Sequence, residues 1–108
     1  MAGKREYDAA YFTLLRALEE RDDLLRYRER LEAELARLDA FAEATTDHDA
    51  ELPRKLRRPV AGTSKQLLEA VGRRRTVVLD ELGRMDDRLA AAEAFVRECE
   101  DEVATLRG

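Results

Sequence analysis

The sequence predicts an all-α protein, an antiparallel two-helix coiled-coil hairpin that dimerises into a four-helix bundle. Charged residues make up 41% of the chain and hydrophobic residues 44%, a composition typical of long helices with one face in water. Apolar residues recur three and four positions apart over two long segments, as in a coiled coil. Five Gly and two Pro in 108 residues leave few turns, so we expect a single domain over residues 1–108.

Helix one is predicted over residues 5–46. Its apolar stripe is interrupted only by Arg21 and Arg28. Thr46 is a poor helix former and Pro53 cannot continue a helix, so we expect the helix to end near Thr46. The stripe consists of Tyr7, Ala10, Leu14, Ala17, Leu24, Leu31, Leu35, Leu38 and Ala42.

Helix two is predicted over residues 63–106. Thr63 followed by Gln66 resembles a capping box, which satisfies free N–H groups at a helix start. Gly72 destabilises the helix by about 1 kcal/mol relative to Ala, so we expect a weak point there. Arg75 alone interrupts the second apolar stripe, which consists of Leu68, Val71, Val78, Leu82, Met85, Leu89, Ala92, Val96, Cys99, Val103 and Leu106.

The predicted linker, residues 47–62, has an acidic half and a basic half. The acidic half is 47–51, and the basic half, 54–58, lies between Pro53 and Pro59. No alternating apolar run occurs in the linker, so we predict a loop or a short helical turn there.

The two stripes can face each other along their whole length. Two helices of similar length joined by a short linker pack antiparallel. If residues whose numbers add to about 113 are opposite, every stripe position meets a stripe position on the other helix. The predicted pairs are Tyr7 with Leu106, Leu14 with Cys99, Leu24 with Leu89, Leu31 with Leu82, and Leu35 with Val78.

Positive charge is concentrated at the linker end of the predicted hairpin. Eight basic residues and one acidic residue lie between Pro53 and Val78. Such a surface attracts an acidic protein or a nucleic acid, although solvated arginines paired with nearby carboxylates are the alternative. We call its predicted partner-binding residues the basic tip, which consists of Arg54, Lys55, Arg57, Arg58, Lys65, Arg73 and Arg74.

More apolar residues occur near the chain termini than one narrow stripe per helix can bury. Exposed apolar surface of this kind indicates a partner or a second copy, and a homodimeric four-helix bundle is the simplest arrangement that covers it. The alternative is a set of scattered exposed side chains. The predicted self-association surface consists of Tyr11, Phe12, Leu15, Leu18, Leu25 and Phe95.

The sequence contains no motif of an enzyme or a cofactor-binding protein. Gly-rich phosphate loops, nucleophile elbows and paired metal-ligand motifs are all missing. His48 is the only histidine and lies between two aspartates, too little for a metal site. Cys99 lies on the stripe of helix two and is expected to be a small buried hydrophobic residue. We therefore expect no catalytic residue, no metal, no cofactor and no small-molecule substrate.

Cellular location follows from what the sequence lacks. A single cysteine forms no internal disulfide. No apolar run approaches the roughly 18 residues of a membrane span, and the first residues do not resemble a signal peptide. We expect a cytoplasmic protein that does not enter a membrane. Its expected function is that of an interaction protein that self-associates and presents the basic tip to an acidic partner, or alternatively to a nucleic acid without sequence preference.

Overall fold

The structure, a computed structural model, describes residues 2–108 and consists of two long helices that pack against each other as a hairpin. Helix α1 is Ala2–Glu51 and helix α2 is Arg54–Arg107. The all-α hairpin predicted from the two apolar stripes is confirmed. Contacts divide the described chain into two compact units, one formed by residues 2–29 with 84–108 and the other by residues 30–83.

The predicted 16-residue linker is wrong. Helix α1 continues to Glu51 and α2 begins at Arg54, so Leu52 and Pro53 alone form the turn. The backbone N–H of Leu52 donates to the Asp49 carbonyl at 3.3 Å, and that of Leu56 donates to the Pro53 carbonyl at 2.8 Å. These bonds satisfy backbone groups at a helix end and a helix start, which would otherwise need a cap or water.

Three local features of the linker region do not end a helix here. The Thr46 hydroxyl donates to the Ala42 carbonyl at 3.0 Å, which satisfies the side chain within the helix. Thr63 lies inside α2, so the predicted capping box is also wrong. Pro59 lies in the second turn of α2 and removes a single backbone hydrogen bond, the one that the Lys55 carbonyl would accept.

The unit formed by residues 30–83 is built on the predicted stripes. Leu31 and Val78 are buried, with 4% and 1% of their surface exposed. Leu35 and Leu82 are half-buried. Helix α2 also continues through Gly72, where the Gly is tolerated because the surrounding helix is held by packing.

In this unit the stripes extend into the region predicted as a linker. On α1 the half-buried positions continue as Thr45 and Asp49, followed by Leu52 in the turn, and on α2 they begin with half-buried Val60 and buried Ser64. The spacing remains three and four, but most of these side chains are polar. An apolar periodicity therefore did not reveal them.

The unit formed by residues 2–29 and 84–108 has its own core. Ala17, Val96 and Cys99 form a buried cluster, against which Leu14 and Leu18 pack. Leu14 thus packs against the cluster that contains Cys99, its predicted partner. Met85, with no exposed surface, and Leu89 and Val103 are also buried on the predicted stripe of α2.

The same unit is joined near the chain termini by Arg107 and Tyr7. The Arg107 guanidinium donates to the Tyr7 hydroxyl at 3.1 Å, and its carbon lies 5.9 Å from the centre of the Tyr7 ring. The hydrogen bond to Tyr7 raises the pKa of Arg107 above its usual value, so the side chain stays charged. A cation beside an aromatic face is an attractive contact.

We expect residues 47–51 and 54–62 to be helical in solution, because the three-and-four burial pattern continues through them. NMR Cα chemical shifts for these residues should be displaced towards helical values, with an interruption at Leu52 and Pro53. Residues 24–30, in the middle of α1, are the internal reference. Random-coil shifts over 47–62 beside helical shifts over 24–30 would restore the linker that the sequence predicts.

Circular dichroism should show a helical fraction far above the roughly one third of residues that is helical in ordinary domains.

Candidate interaction surfaces

The basic tip is placed at the very start of α2. Arg54, Lys55, Arg57 and Arg58 belong to its first two turns, all four are exposed, and the first turn contains no acidic residue. The N-terminal end of a helix carries a partial positive charge, so cations there are unfavourable by a few tenths of a kcal/mol or more each. These cations destabilise the start of α2. Their presence therefore favours a role in binding over a role in stabilising the fold.

Arg57 differs from its neighbours because it helps to hold the turn. Its guanidinium Nε donates to the Leu52 carbonyl at 2.9 Å. That carbonyl follows the end of α1, where backbone oxygens lack helical partners. We therefore assign Arg57 a structural contact as well as a charge at the tip.

Arg74, which the sequence assigns to the basic tip, is engaged within the protein. Its guanidinium donates two hydrogen bonds to the Glu34 carboxylate, both at 2.7 Å. The bond from Arg74 holds the pKa of Glu34 below its ordinary value. Arg75, expected on the apolar stripe, is exposed instead and donates to Asp39 at 2.7 Å. Both arginines join α2 to α1 and bring carboxylates beside them.

The rest of the basic tip is exposed, and no ion pair to an acidic residue is found for it among residues 2–108. Within residues 2–108, no ion pair joins these side chains to Glu43, Asp47, Asp49 or Glu51, the carboxylates nearest in sequence. Asp49 instead lies 3.8 Å from His48 Nδ1. We call this set the unpaired cations, and it consists of Arg54, Lys55, Arg58, Lys65 and Arg73.

An apolar groove in the same unit escaped sequence reasoning. Phe41 on α1 and Leu67 on α2 are 47% and 45% exposed and border an open groove of about 470 Å³. The sequence signal that could have revealed it is the presence of large apolar residues beside stripe positions that small polar residues occupy. We call this the apolar groove, and its lining consists of Phe41, Ala44, Thr45, His48, Asp49, Val60, Thr63, Ser64 and Leu67.

The self-association surface lies in the unit of residues 2–29 and 84–108. Tyr11, Phe12, Leu15 and Phe95 are 42%, 67%, 43% and 45% exposed. The Tyr11 ring lies 6.5 Å from the Phe12 ring, edge to face, and stacks on Tyr7 at 6.3 Å. Phe12, Leu15 and Phe95 border one open groove of about 700 Å³. These four side chains form the accessible part of the predicted surface.

The two remaining members of that surface are less accessible. Leu18 packs against the cluster of Ala17, Val96 and Cys99 and contributes to the core. Leu25 is half-buried. Substitutions at Leu18 would therefore change stability as well as any contact with a second copy.

The candidate reactive and metal-binding side chains show no special geometry. Cys99 is 7% exposed, and its burial, followed by the nearby charges of Glu98 and Glu102, raises the pKa of its thiol. This confirms the prediction of a small buried hydrophobic residue. Among residues 2–108, no group of three His, Cys, Asp or Glu side chains is close enough to hold a metal ion. No described helix has the length and apolar character needed to cross a membrane.

Comparisons of the chain with family models, curated proteins and solved structures found no match.

Proposed function

We propose that this protein is a non-enzymatic interaction protein that self-associates and uses the start of α2 to bind an acidic protein. The observation that carries the proposal is the set of unpaired cations. They are exposed and lack acidic partners among residues 2–108. Two of them, Arg54 and Lys55, lie in the first turn of α2, where the helix dipole disfavours positive charge. An external anion would relieve that repulsion.

Apolar side chains beside the cations favour a protein over a nucleic acid. Leu56 is 46% exposed and stands between Lys55 and Arg57. The apolar groove adds Phe41 and Leu67 in the same unit. Protein interfaces combine apolar contacts with a charged rim, whereas contacts to phosphates require charge and hydrogen bonds.

The proposal is tested by capture from an extract of the native organism. The variant with Arg54, Lys55, Arg58 and Lys65 changed to Ser removes four unpaired cations and leaves Arg57 in place. The matched control changes Lys4, Arg16, Arg37 and Arg97 to Ser, four exposed cations elsewhere. Wild type and control should retain an acidic protein that the first variant loses, with no change after nuclease treatment. Equal capture by all three proteins would refute the proposal.

Binding to nucleic acid is the second candidate function, favoured by five unpaired cations within 20 residues of one helix. Each neutralised phosphate releases a condensed counterion, so contact by about four cations predicts a slope near −3.6 for log affinity against log salt concentration. Fluorescence anisotropy with a labelled DNA duplex measures this slope. The variant with four cations removed should lose the binding, and the matched control should retain it. Absence of binding at low salt would exclude this function.

A further inference from the structure

The apolar groove is open because the facing stripe positions are small or polar. Thr45 and Asp49 lie on the buried face of α1, and Ser64 lies on that of α2. Elsewhere in the unit the same faces carry larger apolar residues such as Leu31 and Val78. Their short side chains leave Phe41 and Leu67 standing about half exposed on either side. Small residues at the base of a groove allow another backbone to approach closely, and apolar residues at its borders provide contact area.

The dimensions of the groove match about two turns of a helix. Its lining runs from Phe41 to Asp49 on α1 and from Val60 to Leu67 on α2. At a rise of 1.5 Å per residue, these segments are about 12 Å and about 10.5 Å long. An amphipathic helix binds such a groove through apolar residues spaced three, four and seven apart.

The charge beside the groove indicates the chemistry of the partner. Arg54, Lys55 and Arg58 precede Val60 by two to six residues on the same helix, which is about 3–9 Å along its axis. Exposed Leu56 lies among them. Asp49 in the lining lies 3.8 Å from His48 Nδ1, and the exposed charged side chains over the first two turns of α2 are all positive.

We propose that the apolar groove and the adjoining unpaired cations together bind an amphipathic helix with an apolar face and a cluster of carboxylates. This inference rests on the proposed function and specifies the partner as a helix. Its apolar side chains lie against Phe41, Val60 and Leu67, and its carboxylates meet Arg54, Lys55 and Arg58. Apolar contacts provide affinity, and complementary charge provides orientation and rapid association.

The test uses a fluorescein-labelled peptide of leucine, alanine and glutamate, about five helical turns long, with leucines at helical spacing. A scrambled peptide of equal composition is the control for the apolar face. Leu67→Glu and Thr63→Glu each place a negative charge in the groove at an exposed position. Leu79→Glu is the matched control, a leucine 40% exposed on the same helix and outside the groove lining. Circular dichroism establishes that each variant is folded.

Anisotropy should show that the wild type and Leu79→Glu bind the helical peptide in preference to the scrambled one. Either groove variant should weaken binding at least about tenfold, as expected when a central apolar contact is lost. Equal binding of both peptides, or no effect of the groove variants, would overturn the helix proposal. The proposed function would still stand if the variant with four cations removed lost all peptide binding. Binding that persists in that variant would refute the proposed function itself. If a single-stranded DNA bound more tightly than the helical peptide, and Phe41→Ala abolished that binding, the occupant of the groove would be a nucleic acid and the helix proposal would be overturned.

Discussion

Leu31→Ala is expected to lower the free energy of unfolding by about 2–5 kcal/mol. Leu31 is 4% exposed and lies in the same unit as Val78, which is 1% exposed. Removing its buried methyl groups loses the favourable free energy of their transfer from water into the core. It also leaves a cavity, which the two helices can close only in part. Urea unfolding followed by circular dichroism measures the change at one fixed protein concentration, since the proposed self-association would make stability depend on concentration.

Two substitutions serve as controls for the effect of burial. Leu79→Ala removes the same atoms from a side chain that is 40% exposed, and Glu29→Ala changes an exposed position. The second should alter stability by less than about 0.5 kcal/mol, and the first by much less than Leu31→Ala. A loss at Leu79 as large as that at Leu31 would mean that the apolar stripe is wrongly assigned.

Phe12→Glu combined with Leu15→Glu is expected to convert the proposed dimer into a monomer. Phe12 is 67% exposed and Leu15 is 43% exposed, and both border a groove with Phe95. A symmetric dimer would bury these two side chains of both chains in one interface. The double variant would therefore place four negative charges in that interface, two from each chain. Multi-angle light scattering measures the mass of the particle in solution. The circular dichroism spectrum of the variant should remain that of a helical protein, because neither side chain is in the core.

The matched control is Val77→Glu with Leu79→Glu, which adds the same charge at exposed apolar positions of the other unit. It should leave the proposed dimer intact. Leu18 is a poorer choice for disruption because it packs against the core cluster. A wild-type protein that remains monomeric at high micromolar concentration would contradict self-association through this surface.

Much of the fold was predictable because burial in a helical hairpin follows local periodicity. Tyr7, Leu24, Leu35 and Leu82 are all half-buried at predicted stripe positions. The error lay at the turn, where threonine, aspartate and proline suggested a loop. Propensity is a weak guide where packing continues, and it was overridden there by a stripe built from small and polar side chains.

The candidate sites were predictable only in part. Counting charges located the basic tip, but it did not separate Arg74, which binds Glu34, from Arg58, which lacks an acidic partner within residues 2–108. Hydrophobicity located Phe12 and Leu18 alike, and only packing showed that Leu18 belongs to the core. The apolar groove was missed because its borders are on different helices.

By itself the sequence determined that the chain forms two long helices, which faces they bury outside residues 47–62, and the excess of positive charge after Pro53. Each of these depends on residue type and on spacing of three or four along one chain, and local rules describe both. The tertiary structure alone decided that Leu52 and Pro53 form the whole turn, which cations have carboxylate partners, and that Phe41 and Leu67 border one groove. These features depend on which residues of α1 meet which residues of α2, and such distant pairings are set by how the two helices pack.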